Sequence, residues 1–220
     1  MIVKEFNIPD LNLHYFVGIN QIEINLEKFI NNNIDEEKKI NQFFNEIKAI
    51  QDKYKNTVVQ FIKDKYLLNE DHVFTACYYV EKAFLQNKNI SNKKSIELLL
   101  YLAASRQIDK SIAGFGIDYS DLKKGKLIYC IIAQKNSLNS INVNLTRFLQ
   151  AREEEININR QSDIKINAIK NFFEISDNQV SSVLQSYGTI AYNLDINSSS
   201  LISALYELIC EKMALLYAEK

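Results

Sequence analysis

Residues 97–117, ELLLYLAASRQIDKSIAGFGI, constrain the fold more than any other stretch of the chain. Leu98, Leu99, Leu100, Leu102, Ala103 and Ala104 present apolar surface to nearly every side of a helix, which predicts that this helix is buried. Glu97 and Arg106 nevertheless stand at its two ends. A charge in that setting needs a partner or a task, because burying it uncompensated is costly. An Arg-Gln-Ile step follows, and Gly114 and Gly116 predict a helix C-terminus, where a positive φ is cheap only for glycine.

The flanking pattern supplies a sheet. Residues 1–8 and 15–24 alternate apolar and polar as half-buried strands do, with Pro9 and Asp10 as the turn, and residues 57–62 and 127–133 read as further strands. Helical spacing marks residues 35–55, 69–86 and 137–151. Ser176 and Gln179 have the capping-box spacing that opens another helix, which is expected to stop at Gly188. The run after Asn197 precedes a last apolar helix, and residues 152–162 read as a solvated loop. Strands separated by helices, without regular β-α alternation, predict an α+β chain. The expected form is a single domain over residues 1–220, with a mainly antiparallel sheet covered by helices and a helical insertion at about 31–56.

Bulk charge misleads. The formal net charge is -1, yet residues 82–150 carry 11 Lys and Arg against 4 Asp and Glu, a local +7 that leaves -8 for the remainder. A polyanion responds to the local field rather than to the total. Cys77, Cys130 and Cys210 are odd in number and set in apolar runs, as free thiols of a reducing compartment are. No apolar run reaches the ~18 residues of a membrane span, and the N-terminus lacks a basic leader followed by an apolar core, so a soluble, cytoplasmic protein without a membrane partner is expected.

Catalytic constellations are hard to assemble. Gly114-Phe115-Gly116 closes a helix where a dinucleotide fingerprint opens one, and the kinase signature and Walker lysine are absent. His14 and His72 are the only imidazoles. For His72 a hydrogen-bonded packing or capping role near a helix start is the simpler reading. No cofactor, metal or catalytic residue is expected. Arg106 either forks onto a carboxylate such as Glu97 or faces a phosphate. With Gln107, Lys82, Lys88, Lys93, Lys94, Lys110 and the nearby ring of Tyr101, it has the ingredients of a single-strand RNA site. Ile112 and Phe115 would form the apolar centre of a protein interface if exposed, and are core if buried.

The same residues resemble a known family. Residues 97–117, the upstream His72-Val73-Phe74-Thr75-Ala76, the strand KLIYCII at 126–132, and Tyr206-Glu207-Leu208 with the EKMALL run at 211–216 are together similar to the tRNA-recruiting, kinase-binding subunit of the KEOPS complex, the PRPK-binding-protein family. That resemblance implies a non-catalytic subunit of the machine that makes threonylcarbamoyladenosine in tRNA. It implies docking on the kinase-like ATPase subunit and capture of the single-stranded CCA end of tRNA. Shorter archaeal members carry a basic residue where this chain has Tyr101, which shifts the expected RNA contacts toward Lys93, Lys94 and Arg106. The alternative is a structural scaffold that binds the kinase-like partner without tRNA affinity.

Overall fold

A computed structural model describes residues 1–25, 35–54, 56–159, 161–186 and 199–219. The expected helix stop at Gly188, and Asn197 with Ser198, lie outside the described residues, as do residues 31–34 and 55 of the expected insertion. The chain packs as two compact units, each made from two separate stretches: residues 1–63 with 116–157, and residues 64–115 with 158–220. The single domain expected from sequence is thus laid out as two packing units, neither of them contiguous in the chain.

The first unit is built on a sheet of five strands, β1 (Ile2–Ile8), β2 (Leu13–Ile24), β3 (Val58–Ile62), β4 (Lys126–Ala133) and β5 (Ala151–Glu154). The order is β1-β2-β4-β3, β5 also pairs with β2, and every pairing is antiparallel. Helices α1 (Glu36–Asp52), α5 (Tyr119–Lys124) and α6 (Lys135–Phe148) belong to this unit, while α2 (Glu70–Leu85), α3 (Lys94–Leu102), α4 (Ile108–Phe115), α7 (Asp163–Phe173), α8 (Asp177–Ser186) and α9 (Ser199–Ala218) belong to the other. The class is therefore α+β, with an antiparallel sheet, as the sequence predicts.

Alternation along β2 and β4 decides which side chains meet the helices. Phe16, Ile22 and Ile24 of β2 and Leu127, Tyr129, Ile131 and Ala133 of β4 join Leu138, Ile141, Leu145 and Leu149 of α6 and Phe43 and Ile47 of α1 in one core. A β-carbon on Gly18 would lie 3.2 Å from the Leu138 side chain, so this glycine lets α6 come close to the strand. A polar chain crosses the same layer. Buried Asn20 donates to the Tyr129 hydroxyl at 3.2 Å and to Asn142 Oδ1 at 3.0 Å, Tyr129 also donates to Asn142, and Asn142 donates to Glu153 Oε1 at 2.7 Å. The Asn142 bond holds the Glu153 carboxyl below its usual range, and burial raises the Tyr129 phenol.

Several sequence expectations need correction. Residues 152–154, expected as loop, and Ala151, expected at a helix end, form β5 on β2, where Arg152 bridges Glu23 and Glu154. Helix α5 and helix α7 were not expected. The first is fixed by a capping box between Asp118 and Asp121 and ends on Gly125 at φ 75°. Among the described residues Gly125 is the glycine with positive φ, and Gly114 and Gly116 have none. The capping box read at Ser176 and Gln179 is formed, with Ser176 N–H donating to Gln179 Oε1 at 2.9 Å and Gln179 N–H to Ser176 Oγ at 3.3 Å. Among the cysteines, Cys77 and Cys130 are buried, Cys210 is partly so, and all three are free thiols.

Candidate functional site

In the second unit, local chemistry fixes the junction between α3 and α4. Asn69 caps α2 by accepting from His72 N–H at 2.9 Å, and Glu70 and Asp71 occupy the first turn, where the helix dipole favours acids. The His72 ring is then fully buried. Its Nε2 lies 3.0 Å from the Leu102 carbonyl, and its Nδ1 accepts from Leu68 N–H at 3.4 Å, which assigns the neutral tautomer with the proton on Nε2. Burial drives its pKa from the ordinary 6.5 to about 4, with Lys165 contributing in the same direction against the Leu102 bond. His72 is thus a satisfied core residue that clamps the end of α3.

Beyond Leu102 the helix terminates in a Schellman arrangement. Ala104 N–H donates to Tyr101 O and Ser105 N–H to Leu100 O, each at 3.0 Å, while Ala104 takes φ 43°. A non-glycine residue there costs about 1 kcal/mol, and the turn it makes points the chain at Arg106. Gln107 then opens α4 by accepting from Ser111 N–H at 3.0 Å and from Ser111 Oγ at 2.9 Å. At the other end of α3, buried Glu97 does not need Arg106. Its carboxylate accepts from Ile90 N–H at 3.0 Å and from Ser91 N–H at 2.7 Å, closing the turn before the helix.

These turns leave an open cleft of about 350 Å³. Its walls come from the α3–α4 junction, the end of α7 and the last turns of α9. Arg106, Gln107 and Lys110 line it on one side, Phe172 and Glu174 on a second, and Lys212, Leu215 and Glu219 on a third. Gly114 makes this packing feasible, since a β-carbon there would lie 2.7 Å from the Phe172 ring. Glycine was thus needed for close approach and not for its φ. Three cations therefore face two carboxylates. Arg106 is exposed and has no carboxylate partner among the described residues, whereas Lys110 pairs with Glu174 at 3.3 Å and sits 5.5 Å from the Phe172 ring centroid.

The remaining expected site residues separate into groups. Lys82 and Lys88 gather at the Tyr217 ring and are not among the residues that line the cleft. Lys93 is exposed where α3 begins. Lys94 is committed to Glu81, at 2.6 and 2.7 Å from its two oxygens. Tyr101 is a correction: it is 0% exposed and stacked on Tyr79 with centroids 5.4 Å apart, so it presents no face to RNA. Burial raises its phenol, which has no hydrogen-bond partner among the described residues. Phe115 is likewise core at 0% exposure, 5.6 Å from Phe172 and 5.9 Å from His72 between ring centroids.

Ile112 is 42% exposed and Ile108 44%, one turn apart on α4. Lys110 lies two residues from each, which at 100° per residue puts it on the opposite flank. Helix α4 thus carries an apolar stripe on its outer side and a cationic cleft on the other. Sequence reading missed Lys212, Phe172 and Glu174. The α7 signal was present, in Ser162 as an N-cap accepting from Lys165 N–H and in Ile166, Ile169 and Phe173 as a buried face.

Helix α4 thus sets two exposed isoleucines on one flank and an open cleft of three cations and two carboxylates on the other. The chain belongs to the family of kinase binding protein CGI-121, which it matches over residues 24–216. Comparison with curated proteins gives no match. No described helix is long and apolar enough to cross a membrane.

Proposed function

We propose that this chain is a non-catalytic subunit of a KEOPS-type complex, the machinery of threonylcarbamoyladenosine modification of tRNA. In this reading it docks on a kinase-like ATPase subunit in the cytoplasm and recruits tRNA through the single-stranded CCA end. The observation that carries it is α4 itself, in a chain of the kinase-binding family: Ile108 and Ile112 offer the partner an apolar stripe, and Arg106, Gln107, Lys110 and Lys212 offer phosphates the opposite flank. Because the two flanks point apart, both partners bind at once. The role requires positioning and no bond chemistry.

A salt titration of tRNA binding, with intact and CCA-trimmed tRNA, tests the RNA half of this reading. Intact tRNA is expected to bind more tightly, with an affinity that falls steeply with salt. Equal affinity for both would remove end capture. Arg106→Glu together with Lys93→Glu is expected to weaken binding about tenfold or more, with an unchanged thermal melt. Lys94→Glu is expected to lower the melt instead, because it sets two carboxylates side by side at the buried Glu81. Ile112→Asp is expected to abolish co-purification with the kinase-like subunit while leaving tRNA affinity intact.

The pairing of Lys94 with Glu81 and of Lys110 with Glu174 favours the second reading, a scaffold that binds the kinase-like partner alone. No affinity for either tRNA would establish it.

A further inference from the structure

The last turns of α9 carry a second feature beside the cleft. Lys212, Leu215, Leu216 and Glu219, which line the cleft, follow the i, i+3, i+4, i+7 spacing of one helix face. Tyr217, at 100° per residue, lies on the far side of the helix from that face, against α2. There its ring is attended by two ammonium groups, Lys82 Nζ at 4.6 Å from the centroid and Lys88 Nζ at 4.8 Å. Lys82 also sits 5.5 Å from the Tyr78 ring. Among the described residues neither lysine has a carboxylate partner, in contrast to Lys94 and Lys110.

The ring is held in place. Its hydroxyl donates to Gln86 Oε1 at the end of α2. Tyr79 tilts against it with centroids 5.8 Å apart, and Tyr79 in turn stacks on the buried Tyr101. A column of three tyrosines therefore runs from the core outward and ends in a partly exposed ring. Two like charges sharing one ring repel each other, and the ring quadrupole offsets only part of that repulsion. An anion received between them removes it. A ring over which two uncommitted ammoniums sit is the chemistry that takes a base on the ring as the ammoniums swing out onto its flanking phosphates.

We infer that Tyr217, Lys82 and Lys88 form a contact for unpaired nucleotides of RNA, separate from the Arg106 cleft and across the end of the same helix from it. The inference rests on the tRNA-recruiting reading above and extends it.

The test measures binding of intact tRNA and of a short single-stranded oligoribonucleotide ending in CCA. It compares wild type, Tyr217→Phe, Tyr217→Leu, the double variant Lys82→Glu with Lys88→Glu, and Arg106→Glu, each checked for an unchanged melt. Tyr217→Phe keeps the stacking face and loses the Gln86 bond, so it is expected to bind as wild type. Tyr217→Leu keeps the bulk and loses the face, and is expected to weaken binding about tenfold. The lysine pair is expected to flatten the log–log salt dependence by about 1.4, two phosphate contacts on a single strand. If the Tyr217→Leu and lysine variants bind as wild type while Arg106→Glu is weakened, this contact is overturned and the recruiting reading stands. Loss of the kinase-like partner in these variants, with RNA binding intact, would overturn it in favour of a protein interface. A wild type without affinity for either RNA overturns both.

Discussion

The two packing units treat polar groups in opposite ways. In the sheet unit, Asn20, Tyr129, Asn142 and Glu153 are bonded to one another across a buried layer, so their hydrogen-bonding capacity is directed inward. In the helical unit, buried His72 and Glu97 hold backbone instead, while buried Glu81 takes the Lys94 ammonium. His72 holds Leu68 and Leu102, and Glu97 holds Ile90 and Ser91, while Arg106, Lys82 and Lys88 remain outside without carboxylate partners among the described residues. Side chains that bond one another define a core; side chains that bond backbone define the turns from which cations project.

The sharpest way to break this contrast is Glu97→Ala. It strips the turn before α3 of its carboxylate and leaves the Ile90 and Ser91 amides unpaired, with an expected loss of about 3 kcal/mol in urea unfolding. A loss near zero would mean that Glu97 is not what organises that turn. In the sheet unit, Asn142→Leu removes the hub of the polar chain and leaves Asn20, Tyr129 and Glu153 without it. The expected loss is about 2 kcal/mol, and RNA affinity is expected to be untouched.

Acid should separate the two units as well. Because the pKa of His72 is lower in the folded protein than the ordinary 6.5, the unfolded chain takes up this proton first. The stability linked to neutral His72 is fully present above pH 6.5 and is lost as pH falls from there toward 4. Between pH 7 and 4.5 the expected loss is on the order of 2 kcal/mol, and His72→Gln should abolish it in that window. An unchanged pH profile in the variant would show that another group carries the acid sensitivity. The smallest effect expected is a gain. Tyr101→Phe deletes a buried hydroxyl that has no partner among the described residues, and should stabilise the chain by about 1 kcal/mol without changing RNA binding.

Much of the fold was legible because it depends on period. Alternation in residues 15–24 marks β2, the continuous β-branched apolar run of residues 127–133 marks β4, and the helical spacing of residues 69–86 and 137–151 marks α2 and α6. β5 was hidden because four residues reading Ala-Arg-Glu-Glu look solvated, and become a strand only through the waiting edge of β2. The site was legible in part. Arg106, Gln107 and Lys110 are close in sequence around one turn, so local structure was enough to bring them together. Lys212, Phe172 and Glu174 reach the same cleft from distant helices, and no local pattern relates them to Arg106.

The chain's own order of residues determined the α+β class, the buried signature helix, the turn that presents Arg106 and the concentration of positive charge in the middle third, because each follows from periodicity, capping and counting. Only the tertiary structure decided which of those charges stay available. Lys94 meets Glu81 and Lys110 meets Glu174, while Tyr101 and Phe115 enter the core and Lys82 and Lys88 meet at Tyr217. The physical reason is range: a helix places residues three and four apart, whereas pairing and burial depend on neighbours that packing brings from far along the chain.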